Sequence, residues 1–380
     1  MPPIKVLSIF GTRPEAVKMA PVVKALENHP QISSRVCVTA QHRQMLDQVL
    51  DLFQIRPDID LDLMKPDQSL AELTAAVFAG LDPVLIQVSP DWVLVQGDTT
   101  TVMAASLLAY YHRMQVGHVE AGLRTYDKWQ PFPEEINRRV AGVVADLHFA
   151  PTEWSKQNLL GEGVPESRVV VTGNPVIDAI QMVADRPPTP EVRALLSSLG
   201  LQEKTGGRRL VLITAHRREN FGRPLENICL ALRSLAETYG NAVQFVYPVH
   251  LNPNVQEPVK RLLGGIPNLT LLPPLDYLPM VHLLKRASLV LTDSGGLQEE
   301  APGFGVPVLV LREVTERPEG VEAGTVRLVG TDPDRIIQEA RRLLDDPGAH
   351  AAMSRAVNPY GDGHAAGRIV QAILDYSVKD

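Results

Sequence analysis

The chain has 380 residues, 44% of them hydrophobic and 21% charged, proportions that suit a soluble globular protein of about two domains and exclude fibrous and disordered classes. A formal net charge of -7 argues against a general nucleic-acid binder, so an anionic ligand has to be met by a local group of cations. Cys37 and Cys229 are isolated, which gives neither a disulfide framework nor a metal-ligand spacing; both are expected to be buried thiols in a reducing cytoplasm.

The first apolar run, residues 4–10, ends at Gly11 and is too short for a signal segment or a membrane span. It predicts a strand. Further β-branched runs at 35–40, 92–96, 116–119, 147–150 and 169–172 alternate with longer helical stretches. Residues 185–190 and 203–207, rich in Pro and Gly, interrupt the rhythm, which restarts at 210–214, 243–249, 269–272, 289–291, 306–311 and 326–329. Two α/β units are therefore expected, 1–175 and 176–363, with parallel sheets covered on both faces and a ligand cleft between their strand ends. The amphipathic end, within 364–380, is expected to cross back to the first domain.

Two common nucleotide motifs are missing. Gly11-Thr-Arg-Pro14 offers one glycine where a dinucleotide fingerprint needs three, and no GxxxxGK[ST] occurs. Neither a nicotinamide site nor a P-loop phosphotransferase fits, and no His/Asp/Glu cluster has metal spacing.

Candidate chemistry lies after strands. Arg13, beside a helix start that disfavours cations, and Lys18, about a turn further on, make sense around an anion, or else as solvated surface charges. Asp98 precedes a Thr-rich helix start and is either an acid/base group or an N-cap. Glu120 is a further acid or a buried partner of Arg124, and Glu134 or Glu135 either takes part or decorates a helix start. His216, in His216-Arg-Arg-Glu-Asn220, is a proton carrier, a phosphate donor or a turn residue. Asp293-Ser294-Gly295-Gly296 joins a strand to a helix start where Ser294 can cap and bare amides can bind phosphate; Glu300, about one turn on, can hold a sugar hydroxyl. Arg317 follows the next strand and is expected on the same rim.

Gly11-Thr-Arg-Pro-Glu15, Gly97-Asp-Thr-Thr-Thr101, His118-Val-Glu-Ala-Gly-Leu-Arg124, Pro133-Glu-Glu135, His216-Arg-Arg-Glu219, Asp293-Ser-Gly-Gly296 and Thr315-Glu-Arg-Pro318 occur in order over almost the whole chain. Together they resemble the non-hydrolysing UDP-N-acetylglucosamine 2-epimerases. The resemblance implies an α/β fold of two Rossmann-like domains facing across a cleft, the glycosyltransferase-B type. It also implies interconversion of UDP-GlcNAc and UDP-ManNAc through 2-acetamidoglucal, supplying ManNAc units for surface polysaccharide. It assigns proton transfer to Asp98 and Glu134, with Glu120 and His216 as essential neighbours. It puts the diphosphate at Arg13, Lys18, His216, Arg317 and the amides of Ser294, Gly295 and Gly296, and the ribose at Glu300. Uracil falls at the segment ending in Leu275 and Met280, where some relatives carry a glutamine and an aromatic. The resemblance also implies a homodimer, no metal or nicotinamide cofactor, and a second UDP-GlcNAc, an activator, near Gln41, His42, Gln44, Gln68 and His250; charge and the short apolar run leave no nucleic-acid or membrane partner expected. The alternative is a hydrolysing epimerase that releases ManNAc and UDP.

Overall fold

A computed structural model describes residues 2–39, 43–63, 68–201 and 208–377. It contains two compact units: Met1–Ala179 with Tyr360–Asp380, and Ile180–Pro359.

The first unit is built on seven strands: β1 (Ile4–Phe10), β2 (Ile32–Val38), β3 (Ile59–Asp60), β4 (Trp92–Gln96), β5 (Gln115–Val119), β6 (Leu147–Ala150) and β7 (Val169–Val171). All are parallel, in the order β3-β2-β1-β4-β5-β6-β7. This is the doubly wound order, in which the chain reverses direction across the sheet between β1 and β4. Strands such as Trp92-Val-Leu-Val-Gln96 are buried throughout, as expected where helices cover both faces. β2 starts earlier than its apolar run, because Ile32 to Arg35 pair with Ile4 to Leu7 despite two serines. β3 has only two residues and gave no periodic signal.

The second unit repeats the plan with β8 (Arg209–Thr214), β9 (Val243–Pro248), β10 (Leu269–Leu272), β11 (Ala287–Thr292), β12 (Val308–Val310) and β13 (Val326–Leu328). Their order, β10-β9-β8-β11-β12-β13, places the reversal between β8 and β11. Cys37 and Cys229 are both wholly buried, and burial pushes each thiol up to about 12.

The helix Ala365–Ser377 returns to the first unit and packs on the helix Arg13–Glu27. Trp92 Nε1 donates to Ser377 Oγ at 3.1 Å, and the Trp92 and Tyr376 rings meet edge to face at 5.3 Å. Buried Asp178 accepts from the amides of Ala365 and Ala366 at 3.2 and 2.9 Å, acting as a cap supplied from far away in sequence. Asp178→Ala is expected to cost about 0.5–2 kcal/mol in denaturant unfolding.

The helix Leu70–Val88 has the length and apolarity of a membrane span, but it buries Leu73, Val77, Leu81, Val84 and Leu85 in the core of the first unit.

Candidate active site

At the reversal in the first sheet, the ends of β1 and β4 are tied together by one carboxylate. Thr12 and Glu15 form a capping box on the helix Arg13–Glu27. Buried Glu15 accepts from the amides of Gly11 (3.1 Å) and Thr12 (2.7 Å) and from Thr99 Oγ1 (2.8 Å). Burial raises its pKa, against the pull of these donors.

The helix Thr100–Tyr111 after β4 is capped by Thr99, which accepts from Val102 N. Asp98 is thereby spared the capping role. Its Oδ2 instead receives Arg138 Nη2 at 2.6 Å, and its backbone carbonyl receives Asn137 Nδ2 at 3.0 Å. Burial pushes the Asp98 carboxyl up; Arg138 opposes the shift and Glu120 adds to it.

Glu120 follows β5 with φ of 61°, the left-handed region, which is costly for a residue with a side chain. The side chains of Lys18, Gln96 and Asn174 hold it there. Lys18 Nζ reaches both carboxylate oxygens at 2.6 Å, Gln96 Nε2 donates to Oε2, and Asn174 Nδ2 donates to Oε1 at 2.9 Å. Arg124 is not its partner, being paired with Glu162 at 2.7 Å. Lys18 is accordingly committed to a carboxylate within its own unit, whereas Arg13 is exposed at the helix start.

Beneath Glu120, His118 and His148 are paired across β5 and β6. Burial lowers them to about 4 and about 3, and His118 Nε2 lies 2.7 Å from the Gly97 carbonyl. His118 is neutral near pH 7, so its Nε2–H donates to that carbonyl and steadies the turn before Asp98.

Glu134 and Glu135 begin the helix Glu134–Val144 and have different surroundings. Buried Glu135 accepts from the amides of Thr125 (3.1 Å) and Tyr126 (3.2 Å) and faces Arg138 at 3.6 Å. It anchors a loop. The half-buried Glu134 side chain makes no hydrogen bond or ion pair among the described residues.

In the second unit the reversal is organised by Asp293, which is wholly buried after β11. Its Oδ2 accepts from the amides of His216 and Arg217, each at 2.8 Å, and from Asn220 Nδ2 at 3.0 Å. Its Oδ1 faces His216 Nδ1 at 3.7 Å. The His216 ring stacks on His250 with centroids 5.4 Å apart. Burial lowers the His216 pKa, Asp293 opposes that, and His250 and Arg217 reinforce it.

Ser294 stands at the N-cap of the helix Gly295–Glu300 but makes no side-chain cap, contrary to expectation; its amide donates to Thr292 Oγ1 at 2.9 Å. Arg317 does come to this rim. A Cβ on Gly295 would lie 2.6 Å from Arg317 Nη1, so glycine is what lets the guanidinium rest on the backbone. Glu299 and Glu316 pair with Arg317. Burial pushes Glu316 up, but Arg317, Arg312 and Arg217 bring it below the usual carboxylate range. Gly296 faces Glu300 Oε1, 3.8 Å from the place a Cβ would take.

Leu275 and Met280 are partly buried against the core of this unit, flanking the start of the helix Tyr277–Leu284. Of the residues expected near an activator, Gln41 and His42 lie outside the described residues, Gln44 lies in the helix Arg43–Phe53, and Gln68 precedes the helix Leu70–Val88. Exposed His250 accepts from Asn252 N at 3.1 Å.

Sequence reasoning passed over Gln96, Arg138 and Asn174, and gave no role to Glu15 or Asp293. The buried carboxylates stood inside quoted motifs. The neutral and cationic partners come from distant segments that carry no spacing signal.

Two doubly wound sheets, each with its polar groups at the point of reversal, define a nucleotide-handling enzyme of the two-domain glycosyltransferase-B type. A family model described as UDP-N-acetylglucosamine 2-epimerase matches residues 24–374. The Salmonella typhimurium UDP-N-acetylglucosamine 2-epimerase is 56% identical over 99% of this chain and 100% of its own. Among solved structures, the Neisseria meningitidis UDP-GlcNAc 2-epimerase bound to UDP-GlcNAc has a TM-score of 0.89 at 50% identity, covering 98% of this chain and 100% of that one. The Methanocaldococcus jannaschii enzyme in complex with UDP-GlcNAc and UDP has a TM-score of 0.79 at 33% identity, with 98% and 100% covered. The chain belongs to the UDP-N-acetylglucosamine 2-epimerase family and is an isomerase.

Proposed function

We propose that the enzyme interconverts UDP-N-acetylglucosamine and UDP-N-acetylmannosamine by eliminating UDP and adding it back. The C2 hydrogen is not next to a carbonyl, and no side chain is basic enough to remove it unaided. Breaking the C1–O bond to UDP places positive charge at C1 and acidifies C2–H. Asp98 or a neighbouring acid takes the C2 proton, the C2–H electrons form the C1=C2 bond of 2-acetamidoglucal, and UDP leaves with the C1–O pair. A second group protonates C2 from the opposite face, UDP returns to C1, and C2 is inverted.

The observation that carries this reading is Asp98, a carboxyl released from capping by Thr99, with its pKa raised by burial and Glu120 nearby. Glu134, without a bonded partner among the described residues, is the candidate for the second proton carrier. Arg13, Lys18, His216, Arg317 and the amides of Ser294, Gly295 and Gly296 are assigned to the departing diphosphate, Glu300 to the ribose, and Leu275 and Met280 to the base. For Lys18 this requires sharing with Glu120. Each preorganised donor to the diphosphate is worth roughly 2.7–4 kcal/mol.

Two experiments test this reading. With UDP-GlcNAc and no added nicotinamide, chromatography is expected to show UDP-ManNAc as the product; accumulation of free ManNAc with UDP would identify a hydrolase instead. Gly295→Ala should leave stability within about 1 kcal/mol but weaken UDP binding by about 10-fold or more, because the new methyl displaces the Arg317 guanidinium. Unchanged UDP affinity in a titration would remove Arg317 from the diphosphate site.

The enzyme is further proposed to act as a cytoplasmic homodimer. Tyr110, Tyr111 and Ile86 are more than half exposed, and Val143 is 85% exposed, on three helices of the first unit that pack side by side. Activation by a second UDP-GlcNAc at Gln41, His42, Gln44, Gln68 and His250 finds its support in the stacking of His250 on His216.

A further inference from the structure

Arg138 lies one turn into the helix Glu134–Val144 and is buried, with its guanidinium between two acids. Nη2 is 2.6 Å from Asp98 Oδ2, and Nη1 is 3.6 Å from Glu135 Oε2. The two contacts are unequal. Asp98 has the close, charge-assisted bond, whereas Glu135 has its own donors in the amides of Thr125 and Tyr126. Arg138 Nε has no hydrogen-bond partner among the described residues, so the guanidinium is not locked on every edge.

We propose that Arg138 is the positioning counter-ion of Asp98, holding that carboxylate in place and ionised for removal of the C2 proton, and shifting toward Glu135 once Asp98 carries it. The inference rests on the epimerase chemistry proposed above. In the step concerned, the C2–H bond breaks, its proton goes to Asp98, its electron pair forms C1=C2, and UDP departs with the C1–O pair. Protonation makes Asp98 neutral and removes its Coulombic hold on Arg138, while the Glu135 carboxylate keeps its own. Arg138 is therefore a positioning residue that acts through Asp98.

Other groups also set the charge around Asp98: Glu120 and Glu134 favour its protonated form, and Lys18 and Arg138 favour the ionised form. Lys18 is bound to Glu120 at 2.6 Å, so most of its charge is answered there. His118, behind the Gly97 turn, is neutral at working pH. Removing the positive charge of Arg138 leaves Asp98 among carboxylates. A base in that setting is protonated at a higher pH, so the acid limb of the activity profile moves up.

The test uses the full chain, with kcat, KM and C2 proton exchange measured from about pH 5 to about pH 9, alongside UDP affinity. For Arg138→Gln, the acid limb is expected to move to higher pH. Its kcat should fall about 10- to 100-fold near neutrality and recover substantially in alkali, with UDP affinity within about twofold of the parent. Arg138→Lys, which keeps the charge, should return the limb toward the parental position; it also serves if the glutamine variant fails to fold. A drop of equal size at every pH, or a lysine variant whose limb lies with glutamine's, would overturn the role. Parent enzyme that exchanges no C2 proton would instead overturn the epimerase reading on which it rests.

Discussion

Asp98→Asn is expected to lower turnover by about 10²- to 10⁴-fold while leaving UDP affinity within about threefold of the parent. The substitution keeps the size of the side chain and leaves the Asn137 contact intact, because that bond goes to the backbone carbonyl. Helix Thr100–Tyr111 keeps its cap, since the cap is Thr99. What disappears is the group that can accept a proton, together with the charged half of the 2.6 Å bond to Arg138. Burial raises the Asp98 pKa and Arg138 restrains it, a balance that brings a carboxylate closer to the pH at which it both accepts and releases a proton. Turnover by chromatography and UDP affinity by calorimetry together check this. A folded Asn variant that has lost UDP binding would make Asp98 a ligand-holding residue.

Asp293→Ala is expected to be the most destabilising single change in the second unit, by about 3–6 kcal/mol in denaturant unfolding. Three donors, His216 N, Arg217 N and Asn220 Nδ2, converge on one oxygen of the buried Asp293 carboxylate, and each loses its partner at about 1–2 kcal/mol. The segment they anchor carries His216, so activity should fall even in conditions where the variant is folded. Asp293→Asn keeps an acceptor oxygen and should recover most of the stability but not the charge facing His216 Nδ1. Equal destabilisation by the two variants would mean that the acceptor oxygen is not what holds the turn.

Much of this arrangement is readable before any coordinates. The runs at 4–10, 92–96, 147–150 and 269–272 coincide with strands, because apolar residues predominate in parallel strands that pack under helices. Strands that mix polar residues were harder. β2 includes Ser33 and Ser34 because pairing with β1 outweighs local propensity, and two-residue β3 exists only as an edge on β2.

At the sites, residue type told where polar chemistry gathers, and partner choice was hidden. Asp98 and Thr99 are both good N-caps in sequence, and only backbone direction decides that Thr99 accepts from Val102. Lys18 suited an anion by its place near a helix start, but Glu120, 102 residues away, takes its ammonium. The left-handed backbone at Glu120 has no signature in the sequence, since the residue is not glycine. Arg317, by contrast, was legible from topology: β11 and β12 are neighbours, and their loops meet over Gly295.

The most direct test of elimination is to run the reaction on UDP-N-acetylglucosamine in D2O and follow C2 by NMR. Loss of the C2 proton to an enzyme acid that exchanges with solvent predicts deuterium at C2 of both UDP-N-acetylmannosamine and recovered UDP-N-acetylglucosamine. Epimerised product that retains the original hydrogen at C2 would contradict it.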